Sequence, residues 1–171
     1  LSGVFVDNIK CDPSMSDTRL VSVGVQNLEL ISKHVPKPTQ AQFGNNIILL
    51  ESYWQRDLEA GKSLRLTLYW RAEYPITTDW TNFVHVRGPD NQVVSGIDQQ
   101  PMGGSLPTTD WSPGQVIAYS LVVPIPDYAS AGKYTIDIGW YQWPSLDRMH
   151  TESSTLPVNH NLLTLGEVIL R

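Results

Sequence analysis

Cysteine is almost missing from this chain of 171 residues, where Cys11 stands alone. It has no internal disulfide partner, so neither a disulfide framework nor a paired-thiolate zinc site is available to staple the fold. At this length none is needed, because one ordinary domain of this size buries a sound core unaided. Basic stretches are also missing. Twelve Lys and Arg face seventeen Asp and Glu, for a net charge of −5. The cations are scattered singly, which leaves no stripe to neutralise a phosphate backbone, and nucleic acid is excluded as a partner. No apolar run approaches the roughly 18–20 residues of a membrane-spanning helix. The start, LSGVFVDNIK, has neither an initiator Met nor a signal-peptide pattern, and raises the expectation of a piece cut from a longer chain.

Catalytic signatures are the next absence. There is no HExxH, and His34, His85, His150 and His160 are too dispersed for a local zinc site. No metal or other cofactor is expected. G-x-S-x-G, P-loop and G-x-G-x-x-G patterns are lacking, and the glycine-rich MGGSLP has no strand and helix to frame a phosphate, so it reads as a bend. Asp98 and Asp110 are candidates for a glycosidase pair, with His85 as a third candidate for a hydrolase, but spacing along a chain fixes no distance between carboxylates.

What the chain does have is alternation. In SLRLTLYWRAE, Leu64, Leu66, Leu68 and Trp70 alternate with Arg65, Thr67, Tyr69 and Arg71, the pattern of a half-buried strand. KYTIDIGWYQW and QVIAYSLVVPI repeat it, with Tyr134, Ile136, Ile138 and Trp140 on one face of the first and Ile117, Tyr119, Leu121 and Val123 on one face of the second. NIILLESYW, NFVHVR, QVVSGID and LLTLGEVIL bring the number of expected strands after residue 43 to seven. Turn signals separate them: LEAGKS, GPDN, SPGQ and SAGK. In GPDN, Pro89 presets the first corner and Asn91 suits the left-handed position.

These features predict an all-β fold: an immunoglobulin-like antiparallel β-sandwich of about seven strands with an extra N-terminal strand segment. Tyr134, after a Gly-containing corner and two residues before Ile136, matches the corner tyrosine of such sandwiches, with Ile136 where those domains carry a cysteine. The expected division is residues 1–40, an N-terminal strand segment and linker, and residues 41–171, the sandwich. GVFVDNI and RLVSVGVQNLELI supply two N-terminal strands, and the proline-bearing KHVPKPTQ supplies the linker.

His85 has two possible registers. If Val84 and Val86 face the core, it points outward beside Phe83 and Arg87; if Phe83 is inward, His85 is buried and needs a partner such as Asp98. In an immunoglobulin-like order NFVHVR and KYTIDIGWYQW are neighbours. Phe83, His85, Arg87, Asp137, Tyr141 and Trp143 then share one outer face. Such a face is too aromatic to stay bare in water. Either a glycan covers it, making those six residues a binding site, or residues 1–32 fold across it. Flat rings beside polar groups suit a pyranose, whose apolar face stacks while its hydroxyls seek hydrogen bonds. Of the six tryptophans, Trp54, Trp70 and Trp140 read as core, while Trp80, Trp111 and Trp143 lie at strand ends or loops, as plugs or platforms.

The ordered series FGNNIILLESYW, GKSLRLTLYWRAE, NFVHVRGPDNQVVSGIDQQP, PTTDWSPGQVI and AGKYTIDIGWY resembles a known domain type. It is similar to the C-terminal soluble β-sandwich domains of multi-spanning bacterial, Chloroflexi-type glycosyltransferases related to dolichyl-phosphate-mannose protein mannosyltransferases. The resemblance covers residues 43–171. GVFVDNIKCDPSMSDTRLVSVGVQNLELI is similar to the closing strands of the domain that precedes such a sandwich, around Asp17 and Arg19. The family's turn reads Asp-Pro-Asp-Gly where this chain has GPDN, so the tip differs. The resemblance implies an extracytoplasmic, cell-envelope accessory domain that is not itself an enzyme. Its partner would be a glycan or lipid-linked sugar, and it would reach the membrane only through a parent chain. A free-standing carbohydrate-binding module and a hydrolase using Asp98, Asp110 or His85 are the competing readings.

Overall fold

A computed structural model describes residues 20–22 and 41–171. Cys11, the linker at 33–40 and most of both expected N-terminal strands lie outside the described residues. The strands are β1 Leu20–Ser22, β2 Ala41–Phe43, β3 Ile47–Trp54, β4 Asp57–Leu58, β5 Ser63–Ala72, β6 Trp80–Arg87, β7 Val93–Gln99, β8 Val116–Pro124, β9 Gly132–Gln142, β10 Thr151–Glu152, β11 Val158–Asn159 and β12 Leu162–Leu170. The seven strands read from alternation are β3, β5, β6, β7, β8, β9 and β12. Single turns of 3₁₀ helix at Pro101–Gly104 and Thr108–Asp110 punctuate the connection from β7 to β8. MGGSLP is part of that bend, with Met102 and Gly103 both in the left-handed region at φ 54° and 66°.

Two sheets face each other. One runs β1-β8-β5-β3-β2-β10 and the other β11-β12-β9-β6-β7, with β4 added beside β12. The pairings are antiparallel except for two short parallel additions, β1 on β8 and β4 on β12. Of the seven long strands, the first, second and fifth share one sheet, while the third, fourth, sixth and seventh share the other. This is the immunoglobulin-like division with the fourth strand moved across. The reason is local: residues 88–91 close so tight a turn that β7 stays beside β6. Asn91 N–H donates to the Gly88 carbonyl at 2.9 Å, and Asn91 takes φ 65°, as its sequence position predicts.

The inward residues are those the alternation assigns. Leu64, Leu66, Leu68 and Trp70 from β5 meet Val84, Val86, Ile136, Ile138 and Trp140 from the other sheet, and all are buried. Burying one large aliphatic side chain contributes about 1.5–3 kcal/mol. A one-residue slip in any of these strands exposes its whole inner set, so the register is strongly fixed. Trp111 plugs one end of the core, edge-on to Trp140 at 5.9 Å, with its indole N–H donating to the Leu106 carbonyl at 3.2 Å. Trp54 is only partly buried, and its indole N–H donates across the sandwich to the Glu167 carbonyl at 3.0 Å.

Tyr134 closes the corner at the start of β9. Its ring is buried and its hydroxyl donates to the Ser130 carbonyl at 2.7 Å. Tyr134→Phe removes that donor and leaves the carbonyl unpaired. Its expected cost is about 1 kcal/mol or more. Urea denaturation reads this directly, and an unchanged midpoint would remove the corner role.

Candidate functional site

The outer face of the β7-β6-β9-β12 sheet carries five of the six residues singled out in the sequence, Phe83, His85, Arg87, Asp137 and Tyr141, while Trp143 follows β9 in the turn of its hairpin. Val84 and Val86 are in the core, so His85 points away from it, which settles the register. Cross-strand pairing lays out rows: Thr81 beside Tyr141, Asp98 beside Phe83 and then Gly139, Gly96 beside His85 and then Asp137 and Thr164. The hairpin that continues β9 adds Arg148, bridged to Tyr141. Cross-strand partners share a face, so Arg148 joins the row of Thr81 and Tyr141.

Three rings form a strip. The Phe83 centroid lies 5.0 Å from that of His85 and 6.2 Å from that of Tyr141, with interplanar angles of 36° and 33°. Phe83 is buried although it points away from the core. Gly139 makes room for it, since a Cβ at that position would sit 2.3 Å from the Phe83 ring. The Arg148 guanidinium lies over the ring, 5.4 Å from its centroid, while Nη1 donates to the His160 carbonyl at 3.3 Å. The cover over Phe83 thus comes from the connection between β9 and β12. Of residues 1–32, the described Leu20–Ser22 lie on the edge of the opposite sheet; the rest of that expected cover falls outside the described residues.

Arg87 and Asp137 are committed to each other. Arg87 Nε donates to Asp137 Oδ2 at 3.0 Å, and Thr164 Oγ1 donates to Asp137 Oδ1 at 2.6 Å. Asp137 is buried, and both of its oxygens are occupied. His85, Tyr141 and Trp143 therefore remain to meet a ligand, together with two side chains outside the original six. Asp98 entered the sequence reading as a hydrolase candidate and as a possible partner of His85, and Arg148 had no signal in the sequence. Trp143 is exposed at the tip of the hairpin. That tip is pinned by Gln142 N–H donating to the Asp147 carbonyl at 3.0 Å and Leu146 N–H to the Gln142 carbonyl at 2.8 Å.

The electrostatics favour the neutral form of His85. Burial pulls the imidazole below its ordinary 6.5, and the Asp98 carboxylate, 3.9 Å away, offsets this only in part. Arg148 and Arg87 push in the same direction as burial, and Asp137 opposes them. Burial also raises the Tyr141 hydroxyl, with the charge of Asp98 adding to it. The sign for stability follows: the folded state holds the imidazole proton less tightly than the unfolded chain. The contribution of His85 is therefore full above about pH 6.5 and is lost as the pH falls through the lower folded value. Between about pH 7 and pH 5, His85→Gln is expected to lose less melting temperature than the parent protein. Equal losses would place the acid sensitivity elsewhere.

Asp110 is exposed at the end of the turn Thr108–Asp110 and makes no side-chain hydrogen bond or ion pair among the described residues. Among the described residues, no group of three or more His, Cys, Asp and Glu is arranged to hold a metal ion.

No protein-family profile and no curated protein matches this chain. Among solved structures it is similar to the C-terminal domain of Wzt, with a TM-score of 0.53 and 11% identity over 80% of this chain and 80% of that one. A Niemann-Pick type C2 protein from the Japanese carpenter ant has a TM-score of 0.45 and 6% identity, over 81% of this chain and 100% of that one. At 11% identity the likeness to the Wzt domain is one of fold: a β-sandwich of the same general shape.

Proposed function

We propose that this chain is a non-catalytic, glycan-contacting β-sandwich, serving as an extracytoplasmic accessory domain of a membrane glycosyltransferase. The observation that carries the glycan reading is the pair of part-exposed rings, His85 and Tyr141, on either side of the buried Phe83, with Asp98 and Arg148 beside them. Aromatic surface for the apolar face of a sugar, a carboxylate to accept from its hydroxyls and a guanidinium to donate to them meet on one rigid sheet. A hydrolytic role fits less well. Glycoside hydrolysis ordinarily uses two carboxyl groups flanking the bond; on this face Asp137 has both oxygens engaged by Arg87 and Thr164, and Glu167, beside Thr135, pairs with Lys133, which leaves Asp98 alone by the rings. The accessory role and the envelope location rest on the family resemblance of residues 43–171. No helix among the described residues is long and apolar enough to cross a membrane, so the bilayer would be met through a parent chain.

The test is a glycan panel on the full chain, followed by Tyr141→Ala and Asp98→Ala. The expected result is saturable binding without turnover, weakened at least about tenfold by either substitution, with melting temperature unchanged. Failure of the whole panel to bind, or the release of cleaved sugar, overturns the reading. The parent chain is tested by the upstream coding sequence, where about ten apolar runs of spanning length are expected.

A further inference from the structure

A second concavity lies away from the ring strip, at the end of the sandwich where β6 begins. It is a cleft of about 170 Å³, between the β2–β3 turn at residues 44–46, the β5–β6 connection at residues 76–78, Trp80 and Met149. We infer that this cleft is a binding site for a single neutral sugar ring, independent of the face proposed above.

Three observations carry the assignment. The first is the lining. Ile76, Trp80 and Met149 supply apolar surface, including an indole, while Asn45, Asn46, Thr77 and Thr78 supply amides and hydroxyls; no lining residue is charged. A charged ligand finds no counter-ion there. A neutral ring with one apolar face and a hydroxyl periphery meets a complementary group on each side.

The second is size: pockets for drug-sized ligands run to roughly 300–1,000 Å³. At about 170 Å³ this cleft takes one small ring.

The third is bracing. The Asn46 side-chain amide donates to the Pro75 carbonyl at 3.0 Å, and the Asn46 carbonyl accepts from Glu73 N–H at 2.8 Å, tying one wall to the other. Thr108 Oγ1 donates to the Thr78 carbonyl at 2.9 Å and accepts from Trp80 N–H at 3.0 Å, which fixes the connection from behind. Gly44 sits at φ 53°, and a Cβ there would lie 3.3 Å from the Met149 side chain, so a larger residue would press on the methionine that forms part of the wall. The walls are therefore set before a ligand arrives, which lowers the entropic cost of binding. Against this rigid frame Asn45 and Thr77 are exposed, and neither side chain has a hydrogen-bond partner among the described residues.

The test is an amide and indole NMR titration of the full chain with methyl glucoside, methyl galactoside and methyl mannoside, with glucuronate as the charged comparison. The expected result is saturable shifts at residues 44–46, residues 76–78 and the Trp80 indole for at least one methyl glycoside, with glucuronate at least tenfold weaker. Asn45→Ala and Thr77→Val, both at exposed positions, keep the test valid if Trp80→Leu fails to fold. Each is expected to weaken binding severalfold, and Trp80→Leu at least tenfold. Tyr141→Ala on the outer face should leave these shifts unchanged. Absence of saturable shifts at these residues, indifference to both Asn45→Ala and Thr77→Val, or loss of the shifts in Tyr141→Ala overturns the inference. Because the two sites are read from different residues, failure of one leaves the other standing.

Discussion

Trp140→Ala and Trp70→Ala are each expected to lower the free energy of unfolding by about 3–5 kcal/mol, as truncations of large, fully packed side chains. Both rings are wholly buried. They come from opposite sheets and meet edge-on at 5.0 Å, with Phe43 against Trp70 at 5.4 Å and Trp111 against Trp140 at 5.9 Å. Four rings thus run through the core in mutual contact. Removing either central ring leaves a cavity that its neighbours cannot close without turning out of their edge-on geometry. The double variant is expected to be less harmful than the sum, since the second truncation widens a hole already made. Neither indole N–H has a hydrogen-bond partner among the described residues. Trp→Phe at either site therefore forfeits chiefly volume, and it should cost clearly less than Trp→Ala. Urea denaturation followed by circular dichroism measures all five variants. A Trp140→Ala protein within about 1 kcal/mol of the parent would mean that the sandwich does not depend on this stack.

Arg87→Ala is the second large effect, expected at about 3 kcal/mol. That is the lower end of the range for breaking a buried pair, because the Arg87 side chain keeps 21% of its surface exposed while Asp137 keeps 6%. The cost arises from what remains: a buried carboxylate holding only the Thr164 hydroxyl. Replacing the whole group tells the two contributions apart. Arg87→Met, Asp137→Leu and Thr164→Val together remove charge, partner and hydroxyl, and the triple variant is expected to recover most of the loss. If Arg87→Ala alone is nearly neutral, the pair is solvated and the account fails. The comparison also bears on the ligand face, because Asp137 lies directly beside His85 on the neighbouring strand.

The sandwich was legible because β5 and β8 alternate throughout and part of β9 does the same. Leu64 to Trp70 and Tyr134 to Trp140 name their own inner faces, and Asn91 and Tyr134 announce a turn and a corner. β4, β10 and β11 were not legible, since two residues carry no period and such strands exist only through the neighbours they pair with. The proposed ligand face was half readable. Its outward residues follow from strand order, but burial of Phe83 depends on Gly139 beside it and on Arg148 arriving over the ring. That arrival follows from the path of the hairpin, which local propensity does not encode. Sequence could likewise name Arg87 and Asp137 as outward, but only their geometry takes them out of play for a ligand.

Gly139 is a position where the depth of a surface is decided by the absence of a single methyl group: with hydrogen there, Phe83 lies sunk in the sheet. Any larger residue would lift the ring toward solvent and displace the guanidinium above it. The relief of this face, and with it the shape of whatever it touches, is therefore separable from the architecture beneath. A single substitution there would alter the relief by moving the Phe83 ring, with the Asn161 carbonyl, 3.1 Å from such a Cβ, as the second group that must give way.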